Sequence, residues 1–258
     1  EQLHTMIVLC LITLVPNLND CKGFFYKGIE PSGMDQNAWK ICQKLVNRGF
    51  YYATLYSVPH KIPLYSAYTL DPKCSRDTGR PSDWHLEPQV TMSQIVYMVC
   101  ENRFSQNLYK EYQAISSDYS GTGYDRGHLN PNSFQCGDGR TAAFTLTNAA
   151  PMIRRFLKPK LDRDDNSATV FIVTGTVPDP NVRIPQDRKR VMVPSHIWTT
   201  VCYKHHKDDS KSLSFGYIGK TTTQSLTYGP PIRIHFWILG GPRQIYFNIK
   251  NDCENYRF

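Results

Sequence analysis

Two runs of β-branched and aromatic residues, YYATLYS (51–57) and LYSAYTL (64–70), flank the short Pro-bearing connector VPHKIP, and the pair reads as a β-hairpin. A hairpin is marginal alone and needs further strands beside it and a cover over its faces. The chain supplies candidates: FTLTNAAP (144–151), TVFIVTGT (169–176), HIWTTVCY (196–203) and SFGYIG (214–219), with RIHFWILGGPRQIYFNIK (233–250) closing the chain. Helical spacing shows once, where Ala38, Ile41, Cys42, Leu45 and Val46 fall on one helical face. Ser32 or Asp35 would cap that helix and Gly49 would end it. Residues 71–88, dense in Pro, Gly and Asp, read as loop. Strands outnumber helices and no regular β-α alternation is visible. The expected fold is therefore α+β, one domain around a largely antiparallel sheet.

Length and composition set the outer limits. The chain has 258 residues, enough for one large domain or two small ones, and 40% hydrophobic with 20% charged residues excludes a disordered chain. The formal charge of +8 favours polyanionic partners if a phosphate-type site is also present. Met6 to Val15, MIVLCLITLV, is apolar but too short to span a bilayer. It reads as the core of a secretory signal, with a buried strand as the alternative. On the first reading residues 1–20 are removed, residues 21–258 form the domain, and the product is secreted. Stable membrane insertion is not expected. Of eight cysteines, Cys10 would leave with the signal. Seven remain, which predicts three bridges and one free thiol, or an intermolecular pair. None stands in a C-x-x-C pair, so a structural zinc is not expected.

The chemistry gathers around YDRGHLNP (124–131). Hydrolysing a phosphodiester requires a base for water, positive charge for the phosphate, and help for the leaving oxygen. A neutral histidine suits the first task, and His128 is the candidate general base, with Asp125, Arg126 and the turn-permissive Gly127 beside it. Arginines suit phosphate oxygens; Arg126 and Arg80, the latter in GRPSDWHLEP, are the candidates. Asn148, in LTNAAP, reads as a strand end presenting an amide oxygen, and is the one candidate metal ligand. Other features have plainer readings. His205 and His206 lie in a charged turn and read as solvated, and His196 reads as part of a sheet. Residues 187–190, DRKR, either grip phosphates or form a solvated loop, and the sixteen tyrosines fit sheet packing.

YDRGHLNP resembles the signature of the DNA/RNA non-specific endonucleases, the ββα-metal nuclease family. GRPSDW, FTLTNAAPM, FIVTGTVP and VPSHIWTTV resemble the family's other blocks in the same order, and CKGFFYKG with ICQKLVNRGFYYATLYS resembles its secreted endonuclease-domain members. The resemblance implies a ββα-metal core on a largely antiparallel or mixed sheet with flanking helices. It implies a metal-dependent endonuclease with His128 as general base, Arg80 binding phosphate or leaving group, Arg126 shaping the motif strand, and Asn148 lining the site. It implies one divalent cation, Mg2+ or similar, and DNA and RNA as substrates bound through phosphates without regard to sequence. The likeness lapses at one point. The family carries a second asparagine, its metal ligand, followed by Trp and Glu on a helix, and no Asn-x-x-x-Trp segment lies between Met152 and Thr169 here. Asp162, Asp164, Asp165, Asn166, Ser167 and Thr169 are the side-chain oxygens available there. The alternative expectation is thus a catalytically impaired nucleic-acid-binding or protein-interaction module on the same scaffold.

Overall fold

The computed structural model describes residues 17–35, 37–70, 81–91, 94–103, 106–153, 169–207 and 212–221. Among these, twelve strands follow in chain order: β1 Trp39–Lys44, β2 Phe50–Ser57, β3 Ile62–Leu70, β4 His85–Leu86, β5 Val99–Cys100, β6 Asp125–His128, β7 Ala149–Met152, β8 Thr169–Val177, β9 Arg183–Ile184, β10 Val191–Met192, β11 His196–Lys204 and β12 Leu213–Lys220. Two short helices are present, α1 Gln106–Tyr109 and α2 Gly137–Ala142, with several single 3-10 turns. This is the expected α+β class.

The expected hairpin forms. β2 and β3 pair antiparallel and stand inside a six-stranded sheet ordered β1-β2-β3-β8-β11-β12, in which every pairing is antiparallel. The strands read from TVFIVTGT, HIWTTVCY and SFGYIG are β8, β11 and β12. From Tyr52 to Ser57 every residue of β2 is buried, so both faces of the sheet are covered. On one face Ala53, Leu55 and Ala67 pack against Leu18, Cys21 and Phe25 of the N-terminal lead-in. Alternation then turns Tyr52, Thr54, Ser66 and Tyr68 to the other face, where the short 3-10 turn Leu146–Asn148 lies against β2 and β3. Tyr52, Tyr56, Tyr65 and Tyr68 are almost completely buried, as sheet-packing tyrosines should be.

One segment differs from the expectation. Within 38–46, Trp39–Lys44 form strand β1 rather than a helix, with Ile41 opposite Thr54 and Cys42 opposite Ala53. A short apolar run carries little periodic information, and here the neighbouring β2 edge decided it by accepting the backbone hydrogen bonds. Asn47, at φ 54°, makes the tight return to β2. The disulfide between Cys21 and Cys42 then ties the lead-in to this edge strand.

Smaller differences follow the same logic. Within 71–88, His85–Leu86 is a two-residue strand paired with β5. Within 144–151, the strand is confined to β7, and Asn148 ends the preceding 3-10 turn. Cys136 is also disulfide-bonded, but Cys100 and Cys202 are both free thiols, where one free thiol was expected. Cys202 lies within β11 opposite Phe171 and Ser214, so its cross-strand neighbours offer no sulfur. Met6–Val15, Arg80, the segment 154–168 and the closing segment 233–250 lie outside the described residues. No helix among the described residues is long and apolar enough to cross a membrane.

Candidate active site

The β6–β7 hairpin builds the site. Its register sets Asp125 opposite Met152, Arg126 opposite Pro151, Gly127 opposite Ala150 and His128 opposite Ala149. Gly127 is here for closeness rather than for turning. A Cβ at that position would stand 2.8 Å from Met152 Cβ and nearer still to the rest of that side chain. Any larger residue would therefore push β6 away from β7.

His128 is half-buried between two aromatic rings. Its ring centroid is 5.0 Å from Trp84 and 4.6 Å from Phe144, the latter edge-on at 72°. Trp84 and Phe144 also meet, at 5.2 Å. Strand β4 brings these rings together. His85 N and His85 Nδ1 both donate to the Phe144 carbonyl, at 2.8 and 2.9 Å, and Thr145 Oγ1 donates to the His85 carbonyl. Burial lowers the His85 pKa, which keeps that ring neutral and its Nδ1 proton on the carbonyl. Sequence reasoning singled out neither Trp84 nor Phe144, although both stand inside the quoted blocks GRPSDWHLEP and FTLTNAAP.

Arg126 leaves the same strand two residues earlier, so it shares the His128 face. Its guanidinium carbon stands 4.4 Å from the Trp84 ring centroid. Its Nη1 donates to Ser116 Oγ at 2.6 Å. Ser116 is itself clamped by the buried Glu101: its N–H donates to Oε1 at 2.8 Å and its hydroxyl to Oε2. Gln106 Nε2 adds a bond to the same carboxylate. Arg126 is thus held by a serine ten residues upstream, a relation with no sequence signal. Asp125, at the start of the strand, is exposed.

Asn148 lies beneath this hairpin, completely buried. Its Oδ1 accepts from Ser66 Oγ and from Asn130 N, each at 2.9 Å. Its Nδ2 donates to the carbonyls of Asn130, at 3.0 Å, and Ala143, at 2.9 Å. All four hydrogen-bonding positions of the amide are in use. Asn148 therefore fastens the motif strand, the α2 exit and the central sheet to one another. Thr147 extends this seam by accepting from Gln43 Nε2 at 2.8 Å, and Thr54 and Ser66 meet at 3.3 Å.

Magnesium keeps several of its waters and takes few protein oxygens. Among the described residues no three His, Cys, Asp or Glu side chains are grouped to hold a metal ion, and the Asn148 oxygen already accepts two bonds. The arrangement the described residues make, a histidine between aromatic rings with a fixed guanidinium on the same face, can take up a proton and hold negative charge beside it. The loop 187–190 divides in two: Asp187, Arg188 and Lys189 are exposed, while Arg190 turns inward to the buried Asp118 at 2.8 Å.

A sequence model of the DNA/RNA non-specific endonucleases matches residues 42–227. The chain is 33% identical over 200 residues to endonuclease domain-containing 1 protein of Homo sapiens, covering 71% of this chain and 38% of that protein. It is 29% identical over 203 residues to the protein of the same name from Mus musculus, with the same coverage. The chain thus spans 38% of the length of these relatives. A solved EndoG/EndoGI complex, described in terms of the mechanism of EndoG inhibition, is similar at 16% identity and a TM-score of 0.45, covering 68% of this chain and 73% of that one.

Proposed function

This chain belongs to the DNA/RNA non-specific endonuclease family, and on that premise we propose that it hydrolyses phosphodiester bonds of DNA and RNA with His128 as the general base. The observation that carries the reading is the grouping of His128 and Arg126 on one face of β6 against Trp84. The aromatic walls restrict the ring's motion and keep bulk water from two sides. A neutral imidazole so placed takes the proton of an attacking water, a step worth about 10²–10⁴-fold in general-base catalysis. Arg126 supplies positive charge for the phosphate, and Ser116 and Trp84 hold its guanidinium in place. Arg80 is proposed as the second phosphate-binding group, and Asn148 as the strut that keeps the motif strand in place. Substrate contacts go to phosphates, so cleavage is indifferent to sequence. The Cys21–Cys42 disulfide supports a secreted location.

One observation favours a second reading, an impaired nucleic-acid-binding or protein-interaction module. The Asn-x-x-x-Trp segment is absent from the sequence after Met152, and no three His, Cys, Asp or Glu side chains are grouped among the described residues. Plasmid nicking by purified protein, with and without millimolar magnesium, separates the two. Nicking that disappears in His128→Ala supports the enzyme. Duplex binding without nicking under any condition supports the module.

A further inference from the structure

The turn that joins β9 to β10 presents cations that the catalytic reading does not use. Arg183 Nη1 donates to the carbonyls of Pro59 and Arg190, both at 3.3 Å, and Lys61 Nζ donates to the Glu111 carbonyl. Carbonyl oxygens fix these side chains without neutralising them. Arg188 and Lys189 stand exposed at the tip, where Lys189 adopts φ 49°. Asp187 offers Arg188 only a 3.6 Å contact between exposed groups, which is worth little. Burial lowers the Lys61 pKa most, followed by Arg190 and, more weakly, Arg183, while Asp118 and Glu111 act in the opposite direction.

The ridge is rigid and joined to the catalytic hairpin. Lys189 N and Arg188 N donate to the Pro185 carbonyl, and Arg190 N donates to that of Ile184. Arg190 closes the base of the turn on Asp118. Ile184, Val191 and Met192 share one core with Leu129, Ala149, Ala150 and Met152 of the active-site layer. Arg188 Nη2 reaches the Ser117 carbonyl, one residue from the serine that holds Arg126.

We infer that Lys61, Arg183, Arg188 and Lys189 form a docking ridge for the phosphodiester backbone of a duplex whose scissile bond lies at His128. The inference rests on the proposed nuclease reading and adds to it where the substrate runs. Two or more phosphates beyond the cleaved one would then be neutralised at this turn.

The test uses His128→Ala protein, so that the substrate survives, and a short labelled DNA duplex followed by fluorescence anisotropy across a salt series. Each phosphate neutralised contributes a slope of about −0.9 in log K against log salt. Lys61→Met, Arg188→Gln and Lys189→Asn together remove three cations, and Asn tolerates the left-handed backbone at the tip. The expected result is a slope shallower by about 2–3 with an unchanged unfolding temperature. An unchanged slope in a parent that binds overturns the ridge and leaves the nuclease reading standing. A parent with no salt-dependent binding removes both. An equal loss from Lys22→Gln with Lys27→Gln, on the N-terminal lead-in, overturns the ridge by showing that only overall charge matters. Unaltered duplex binding with lost poly-glutamate binding overturns it in favour of an acidic protein partner.

Discussion

Gly127→Ala tests the construction of the site more directly than removal of any catalytic group. The added methyl would sit 2.8 Å from Met152 Cβ, whereas nonbonded carbons prefer roughly 3.5–4.0 Å. About 1 Å of extra room must open between β6 and β7. Met152 is 7% exposed and belongs to the core, so it has little space into which to move. Overpacking of this kind costs about 1–3 kcal/mol. At roughly 2–4 °C per kcal/mol for a chain of this size, the melting temperature falls by about 2–12 °C. The displacement reaches His128, the next residue on β6, and a 1 Å misplacement of a catalytic group costs on the order of 100-fold in rate. Thermal unfolding and plasmid nicking are measured on four proteins: parent, Gly127→Ala, Met152→Gly and the double variant. Relief of the clash requires that Gly127→Ala costs little in the Met152→Gly background, where Cβ, Cγ and Sδ are all gone. A Gly127→Ala protein with unaltered melting and cleavage, or one equally damaged in both backgrounds, would refute the reasoning.

Four further outcomes are expected. His128→Ala loses cleavage by about 10²–10⁴-fold while still binding duplex DNA, measured by nicking beside anisotropy. Ser116→Ala removes the 2.6 Å tether of Arg126 and a hydrogen bond to the buried Glu101 carboxylate; a hydrogen bond to a charged group is worth about 1.5–3 kcal/mol, so cleavage falls at least roughly tenfold and the urea midpoint falls as well. Asn148→Ala orphans the Asn130 N–H and the carbonyls of Asn130 and Ala143, each a buried group costing about 1–3 kcal/mol, so the loss shows as a lower urea midpoint. The completely buried Glu87 has its pKa raised from 4.5 to about 8 by burial. The folded state keeps that proton where the unfolded chain has shed it, so stability falls as pH rises from about 4.5 toward 8, and Glu87→Gln flattens that dependence in melting curves.

What was legible in the sequence is what neighbours along the chain decide. The 51–70 hairpin and strands β8, β11 and β12 declare themselves by β-branched and aromatic runs between turn residues, because side-chain shape and backbone propensity act within a few positions. The grouping of Asp125, Arg126 and His128 on one short strand is equally local. Residues 38–46 show the limit. Their spacing suits a helix, and only the free edge of β2 made Trp39–Lys44 a strand. The inner workings of the site were beyond local reading for the same reason. Asn148 looked like a ligand because its amide oxygen looked available, but that oxygen is taken by Ser66, 82 residues away, and by Asn130, 18 away. Arg190 looked like part of a basic loop until Asp118, 72 residues distant, claimed it. Gly127 looked like a turn residue, yet it is small because Met152 lies across the hairpin. A hydrogen bond or a steric contact is settled by which atoms the completed fold brings within about 3–4 Å, and for these residues the deciding partners come from distant parts of the chain.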